Sequence, residues 1–137
     1  MIRVVVGLLT DLHGNVLIGQ RRAGTHMAGR WEFPGGKRQP GESAIAALRR
    51  ELREELAVEV VTAEPFIVLE HDYADRCVQL DTWLVSRYEG EPRSCEGQTL
   101  QWVPPSRLGS AAMLEADAPI IDALIARSSR RADVSSL

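Results

Sequence analysis

The chain has 137 residues, 45% of them hydrophobic and 26% charged, and its formal net charge is −3 at pH 7. This length predicts a single domain with a proper core, and the weakly acidic balance gives no general reason to bind a nucleic acid polymer, although a local basic patch can still hold a triphosphate. The apolar N-terminal run is broken at Asp11, which argues against a signal peptide and against a helix that spans a membrane.

Residue patterns predict strands and a loop in the first part of the chain. Residues 3–9 are rich in β-branched and aliphatic side chains and form a buried strand, and after turn residues a second strand covers 16–22. Segment 21–30, with glycines and several cations, is a loop. Segment 31–36 is a short strand that runs into a tight turn, where bare glycines let main-chain carbonyl groups approach an ion.

A helix is predicted from about residue 43 to residue 56. Its apolar residues fall along one narrow stripe at helical spacing, namely Ile45, Leu48, Leu52 and Leu56. Glu51, Glu54 and Glu55 gather on an adjoining face. Like charges one turn apart destabilise a helix by roughly a few tenths of a kcal/mol. A bound divalent cation would compensate them, because hard cations take carboxylate oxygens. The alternative is a solvated acidic face.

The second half is predicted to alternate strands with one more helix. Strands are expected at 57–69, 76–88 and 100–103, and a helix at 118–126. One domain therefore covers residues 1–127, and residues 128–137 form a flexible C-terminal tail. The alternation of helices and strands is typical of an α/β fold.

The helix and the turn before it carry a recognisable motif. It is similar to the Nudix box, G-x5-E-x7-R-E-U-x-E-E-x-G-U with U aliphatic, at Gly36, Glu42, Arg50, Glu51, Leu52, Glu54, Glu55 and Val58. One position departs, because Ala57 stands where the family has a glycine that suits a left-handed helix end. The resemblance implies the Nudix α/β/α sandwich around a mixed β-sheet.

Residues 21–37, RRAGTHMAGRWEFPGGK, closely resemble the same region of MutT-type 8-oxo-dGTP diphosphatases, which have one additional residue before the histidine. The resemblance implies a metal-dependent nucleoside triphosphate pyrophosphohydrolase that converts 8-oxo-dGTP to 8-oxo-dGMP and pyrophosphate. Such an enzyme removes the oxidised nucleotide from the pool that DNA replication uses, and so contributes to DNA repair and mutation avoidance. A pyrophosphohydrolase of CTP, dCTP or a modified pyrimidine triphosphate is the alternative, and a catalytically inactive nucleotide-binding Nudix module is a third hypothesis.

The resemblance also assigns the reacting centre. Mg²⁺, or Mn²⁺ in its place, would be held by Glu51, Glu54, Glu55, Glu96 and the carbonyl group of Gly35. Either Glu51 or Glu96 would accept the proton of the attacking water. Arg50 would orient the carboxylates through charge-assisted hydrogen bonds, and Glu42 would brace the loop before the helix.

Substrate contacts are expected from Arg22, His26, Phe33, Arg76 and Asp117. Three of them have an alternative: His26 as a loop histidine that meets only water, Phe33 as plain core, and Asp117 as a cap of the following helix. MutT-type enzymes often carry, at the position of Asp117, an asparagine that reads the damaged base. Arg22 has the planar fork that suits phosphate oxygens.

The only cysteines, Cys77 and Cys95, are too few and too far apart for a metal site or a disulfide scaffold, so we expect reduced thiols in a cytoplasmic protein. The expected partner is the triphosphate substrate, with no nucleic acid polymer and no membrane. A monomer is the default expectation.

Overall fold

The computed structural model describes residues 1–135, which contain seven strands and two α-helices. In chain order these are β1 (Ile2–Leu9), β2 (Val16–Gln20), β3 (Trp31–Glu32), β4 (Gly35–Lys37), α1 (Ala44–Leu56), β5 (Glu59–Tyr73), β6 (Arg76–Glu89), β7 (Thr99–Val103) and α2 (Ala118–Ser135). Two short 3₁₀ helices, Pro105–Ser110 and Glu115–Asp117, precede α2.

The strands form two sheets. The larger one has the order β4-β1-β6-β5, in which β1 runs parallel to β6 and the other neighbours are antiparallel. The smaller sheet, β3-β2-β7, is antiparallel. The chain passes from the smaller sheet to the larger one at Phe33 and Pro34, so the single short strand predicted for 31–36 is in fact two strands. Proline suits this crossing because it has no N–H to donate to a ladder.

Strand β1 separates the two hydrophobic cores. Val5 and Leu9 point into a core that holds the buried face of α1, whereas Val6 and Leu8 point into a core with α2 on the other side. This alternation follows from the two-residue period of a strand. Helices therefore cover both faces of a mixed sheet, which confirms the predicted α/β/α sandwich.

Helix α1 has a defined start and a defined end. The hydroxyl group of Ser43 accepts the N–H of Ala46, which satisfies one of the free donors of the first turn. Leu48, Leu52 and Leu56 are fully buried, as the stripe predicted. At the other end Ala57 adopts the left-handed conformation, with φ 58° and ψ 35°. The glycine that the motif has here would adopt it without steric cost.

Helix α2 is longer than predicted. It begins at Ala118 as expected but continues to Ser135, beyond the predicted end at 126 and through most of the segment predicted to be a tail. The sequence after Ala126 contains neither glycine nor proline, so nothing in it ends the helix. The flexibility of 128–137 stays a prediction, and residues 136–137 lie outside the described residues. No helix among those described is long and apolar enough to cross a membrane.

Candidate active site

The start of β4 brings two glycines against the rest of the site. At Gly35 φ is 152°, and a Cβ atom there would lie 2.0 Å from the carbonyl oxygen of Val5. At Gly36 a Cβ atom would lie 2.4 Å from the carboxylate of Glu51. A side chain at either position would push β4 away from β1 or from α1. These glycines therefore let α1 present its acidic face directly to the start of β4.

Glu55 lies in the deepest part of this contact. Its Oε2 accepts the main-chain N–H of Gly35 at 2.9 Å. Burial, followed by the charges of Glu96, Glu51 and Glu32, raises the pKa of Glu55 to about 8, although the hydrogen bond from Gly35 acts the other way. The site thus concentrates negative charge around a buried carboxyl group without enough positive charge to balance it.

Arg50 organises the carboxylates around it. Its Nε donates to Glu42 Oε2 at 2.8 Å and its Nη2 to Glu42 Oε1 at 2.9 Å, so this pair is bidentate. Its Nη1 donates to Glu51 Oε1 at 2.9 Å and reaches Glu54 Oε2 at 3.4 Å, and Nη2 also donates to the carbonyl oxygen of Lys37. These hydrogen bonds to Arg50 lower the pKa of Glu42 to about 2.

Glu42 also accepts the main-chain N–H of Gln39 at 3.0 Å, and so fixes the loop before α1. Glu51, in contrast, has a raised pKa, because burial outweighs the hydrogen bond from Arg50 and the charges of Glu54 and Glu96 add to that effect. Arg50 and Glu42 therefore have the bracing geometry that the motif implied.

The carboxylates around Glu55 supply the donor type that a hard divalent cation takes. The charge of Glu96 contributes to the raised pKa of both Glu51 and Glu55, whereas the side chain of Glu54 is 56% exposed and lies at the edge. Within residues 1–135 no group of three or more His, Cys, Asp or Glu side chains is already arranged to hold a metal ion. The unbalanced charge on buried Glu55 and the absence of a Cβ at Gly36 nevertheless fit a cation at this position.

Two cavities open beside this acidic centre. The first, which we name the phosphate cleft, is lined among others by Arg22, Glu55, Glu96 and Gln98. Arg22 also packs against the loop of Glu96, since a Cβ atom at Gly97 would lie 3.5 Å from Arg22 Nη1. The guanidinium group of Arg22 and the acidic centre therefore face the same cleft.

The second cavity, which we name the base cavity, has a volume of ≈ 400 Å³. All the remaining predicted substrate residues line it, namely His26, Phe33, Arg76 and Asp117. Phe33 is buried and His26 is exposed. The guanidinium of Arg76 lies 6.0 Å from the ring centroid of Tyr73, which also lines this cavity.

Asp117 is one of the few polar side chains buried in the described core, with 6% exposure. Burial and the charge of Glu32 raise its pKa to about 7, while the main-chain N–H of Phe33 favours the ionised form. Asp117 ends the 3₁₀ helix directly before α2 and lines the base cavity, so its role in base recognition, with the cap of α2 as the alternative, stays a prediction.

Some residues that line these cavities were not predicted as site residues, among them Arg21, Glu32 and Tyr73. Arg21 and Glu32 form an ion pair at 3.1 Å, and both residues line both cavities. The pairing of β2 with β3 brings them together, which a pattern within one short segment does not reveal. Tyr73 was available as an aromatic residue at the tip of the predicted β5–β6 hairpin.

Comparisons with known proteins agree with this geometry. The family model of the NUDIX domain matches residues 5–123. The CTP pyrophosphohydrolase of Escherichia coli strain K12 is 37% identical over 134 residues, which are 97% of this chain and 98% of the relative. The 8-oxo-dGTP diphosphatase of the same strain is 37% identical over 120 residues, covering 88% of this chain and 93% of the relative. The solution structure of the E. coli ORF135 protein superposes with a TM-score of 0.85 at 36% identity, covering 96% of this chain and 93% of that chain.

Proposed function

Because the chain belongs to the Nudix family of hydrolases, whose members generally need divalent metal ions, we propose that it is a nucleoside triphosphate pyrophosphohydrolase with 8-oxo-dGTP as its preferred substrate. The observation that carries the proposal is that three features adjoin: an acidic centre, the phosphate cleft lined by Arg22, and the base cavity lined by the buried carboxyl group of Asp117. The products would be 8-oxo-dGMP and pyrophosphate. Activity of this kind would avoid mutations by removing the oxidised nucleotide before DNA replication.

We propose Glu51, Glu54, Glu55, Glu96 and the carbonyl group of Gly35 as the residues that hold Mg²⁺, with Mn²⁺ able to replace it. The bound ion would neutralise phosphate charge and activate water for attack at the β-phosphorus. Arg22 faces the same cleft and can form a forked contact with phosphate oxygens. Arg50 keeps the carboxylate of Glu51 in a fixed orientation through the hydrogen bond at 2.9 Å.

Glu51 is our first candidate for the base that accepts the proton of the attacking water. Its pKa is raised by burial, which suits a group that has to take up a proton, and Arg50 fixes its direction. Glu96 is the second candidate, because it lies on an exposed loop at the edge of the phosphate cleft. The pH profiles of Glu51→Gln and Glu96→Gln distinguish them, since the base variant loses the acidic limb of kcat.

Asp117 is the group that we propose to read the base. A protonated carboxyl group both donates and accepts a hydrogen bond, so it can serve O6 and N7–H of 8-oxoguanine together. Guanine has an acceptor at N7, and the same carboxyl group would leave one of the two atoms unsatisfied. A pKa of about 7 keeps a useful fraction of Asp117 protonated at neutral pH. Phe33 and Arg76 would border the base, and His26 would close the cavity from the loop.

A (d)CTP pyrophosphohydrolase is the second candidate function. It is favoured by the relative with that substrate class, which matches 97% of this chain, and by the carboxyl group of Asp117 itself. The N4–H₂ group of cytosine is a donor that even an ionised carboxylate can accept. Asp117 therefore fits cytosine in either protonation state, but fits 8-oxoguanine only when protonated.

A panel of nucleoside triphosphates decides between these functions. Release of pyrophosphate is measured for 8-oxo-dGTP, dGTP, dCTP and CTP, each with and without Mg²⁺, and compared as kcat/KM. We expect 8-oxo-dGTP to exceed dGTP by at least about 100-fold, the scale of two lost hydrogen bonds. A higher kcat/KM for dCTP or CTP would establish the second candidate, and no release from any triphosphate would mean an inactive binding module.

The proposed substrate also suggests where the enzyme works. Polymerases draw their triphosphates from the cytoplasm, so we propose a cytoplasmic enzyme. The substrate is a free nucleotide, and we propose neither a nucleic acid polymer nor a membrane as a partner. We propose a monomer as the default state.

A further inference from the structure

The ion pair of Arg21 and Glu32 forms a wall that the two cavities share. Nη1 of Arg21 lies 3.2 Å from Glu32 Oε1 and 3.1 Å from Oε2. Nε of Arg21 donates in addition to the carbonyl oxygen of His26 at 2.6 Å. One guanidinium therefore connects strand β3 with the middle of residues 22–30, a segment that we name the cationic loop.

The cationic loop has few other attachments. All its residues are exposed, and Met27 has a left-handed φ of 56°. Within the loop, Thr25 bonds to the carbonyl group of Arg22. Attachments at its ends come from the main chain of Arg21 and from Gln20 Nε2, which donates to the carbonyl oxygen of Gly29 at 3.1 Å. Among the described hydrogen bonds from outside the loop, only the one from Arg21 Nε reaches its middle.

The loop supplies residues to both cavities: Arg22 and Thr25 line the phosphate cleft, and His26 and Met27 line the base cavity. These positions thus depend on where the loop is held. We propose that Arg21 and Glu32 are a positioning pair, which holds the cationic loop across both cavities and so sets the affinity for the triphosphate. This inference rests on the proposed function. Arg21 acts through the loop, because its Nε and Nη1 are already engaged by His26 and Glu32.

Arg21 also neutralises the charge of Glu32 in a region that is crowded with acidic groups. Glu32 contributes to the raised pKa of Glu55 in one cavity and of Asp117 in the other. The side chains of Arg21 and Glu32 are only 27% and 33% exposed, so their attraction is screened less than that of a surface pair. Without Arg21, Glu32 would be left as a half-buried carboxylate between two further acidic groups.

Arg21→Lys tests the double contact of the guanidinium group with Glu32 and His26. Lysine keeps the positive charge but cannot bond to both residues in one planar arrangement. Steady-state kinetics at saturating Mg²⁺ are measured for Arg21→Lys, Glu32→Gln and the double variant. We expect each single variant to raise KM by about tenfold, while kcat changes by less than about threefold. The double variant should be no worse than the more affected single one, because the two changes remove the same connection.

The matched control is the ion pair of Arg53 and Glu59, which is also forked, at 2.6 and 2.9 Å, but lines neither cavity. Arg53→Lys and Glu59→Gln should leave KM unchanged. A fall in kcat at unchanged KM for Arg21→Lys, or independent, additive effects in the double variant, would overturn the positioning role.

Hydrogen exchange provides a readout that does not need turnover. Amides of residues 25–30 should exchange faster in Arg21→Lys than in the wild type, while those of α1 and β6 keep their protection. Unchanged exchange in the loop would contradict the proposal even if KM rises. If the wild type hydrolyses none of the triphosphates, the proposed function fails, and the exchange experiment still decides whether the pair holds the loop.

Discussion

Among single residues, Glu55 connects the chemistry of the site with the stability of the fold. Its pKa is about 8 when folded and 4.5 when unfolded, so the folded state binds a proton more tightly. The resulting stabilisation is present below pH 4.5 and is lost as the pH rises towards 8. Stability and ionisation of this carboxyl group are therefore opposed in the absence of a cation.

Glu55→Gln should keep the fold, lower kcat at saturating Mg²⁺ by about 100-fold or more and weaken Mn²⁺ binding. Glutamine can still accept the N–H of Gly35 but carries no charge to desolvate. The metal-free variant should therefore melt about 3 °C or more above the wild type at pH 8, with a smaller difference at pH 5. Turnover close to that of the wild type would rule out Glu55 as a metal ligand.

Asp117 gives a second prediction at the residue scale. Since its pKa of about 7 lies above the ordinary 3.8, the donating form is present below pH 7 and is lost above it. The ratio of kcat/KM for 8-oxo-dGTP over dGTP should fall by about tenfold from pH 6 to pH 8, following the protonated fraction. In Asp117→Asn the ratio should not change with pH, because an amide donates throughout. A constant ratio in the wild type would contradict recognition by a protonated Asp117.

At the scale of elements, the end of α1 determines a third prediction. The N–H of Ala57 donates to the carbonyl oxygen of Arg53 at 3.1 Å, in a left-handed conformation that costs alanine more than glycine. Ala57→Gly should therefore raise the free energy of unfolding by about 1 kcal/mol, seen as a higher urea midpoint with an unchanged slope. Turnover should stay the same. A large gain in rate would show that the substitution in the motif is not silent.

The irregular pairing of β5 with β6 leads to a fourth prediction. Thr82 on β6 is fully buried, and its hydroxyl group accepts the N–H of Ile67 at 2.9 Å and donates to the carbonyl group of Ile67 at 2.7 Å. These bonds replace ladder bonds that the register shift between Pro65 and Val68 removes. Thr82→Val should cost about 1–3 kcal/mol by denaturant unfolding. Thr62→Val, on the exposed part of β5, serves as the control and should cost far less.

For the whole molecule, the division into a domain and a tail is a prediction that truncation can test. Among residues 118–131, whose burial the structure describes, the buried residues of α2 are Ile120, Ile121 and Leu124, and all three lie before residue 127. A chain that ends at residue 127 should therefore fold and keep kcat/KM within about twofold, with a small loss in melting temperature. A chain that ends at residue 117 loses that core contribution and should not fold. Loss of activity in the chain that ends at residue 127 would place residues 128–137 within the functional domain.

Sequence alone predicts the features of this protein that are local. The acidic face and the apolar stripe of α1 lie within one helix, and Val78, Leu80, Thr82 and Leu84 face one core by simple alternation. The acidic motif identifies the family, and with it the sandwich, whereas the residues of the reacting centre stay a prediction. Gly35 and Glu55 are hydrogen-bonded, as neighbours in such a centre should be.

Features that depend on the register between distant segments were not predictable in this way. Glu32 meets Arg21 only because β2 pairs with β3, and Tyr73 reaches the base cavity only because the β5–β6 hairpin is long. The pKa of Asp117 depends on burial, which no local pattern measures. The extra length of α2 was missed because polar composition was taken to indicate a tail, although it does not oppose helix formation.

The parallel pairing of β1 with β6 also has a consequence for the order in which the chain folds. Each residue of β1 pairs with one 76 positions later, from Ile2 with Val78 to Leu9 with Val85. During synthesis β1 thus emerges from the ribosome long before β6 exists, and loop closure over that distance is slow. Strand β4 and helix α1 are made earlier and can cover part of β1, but its other edge stays unpaired until more than half of the protein has emerged from the ribosome, which exposes that edge to chaperones and to aggregation.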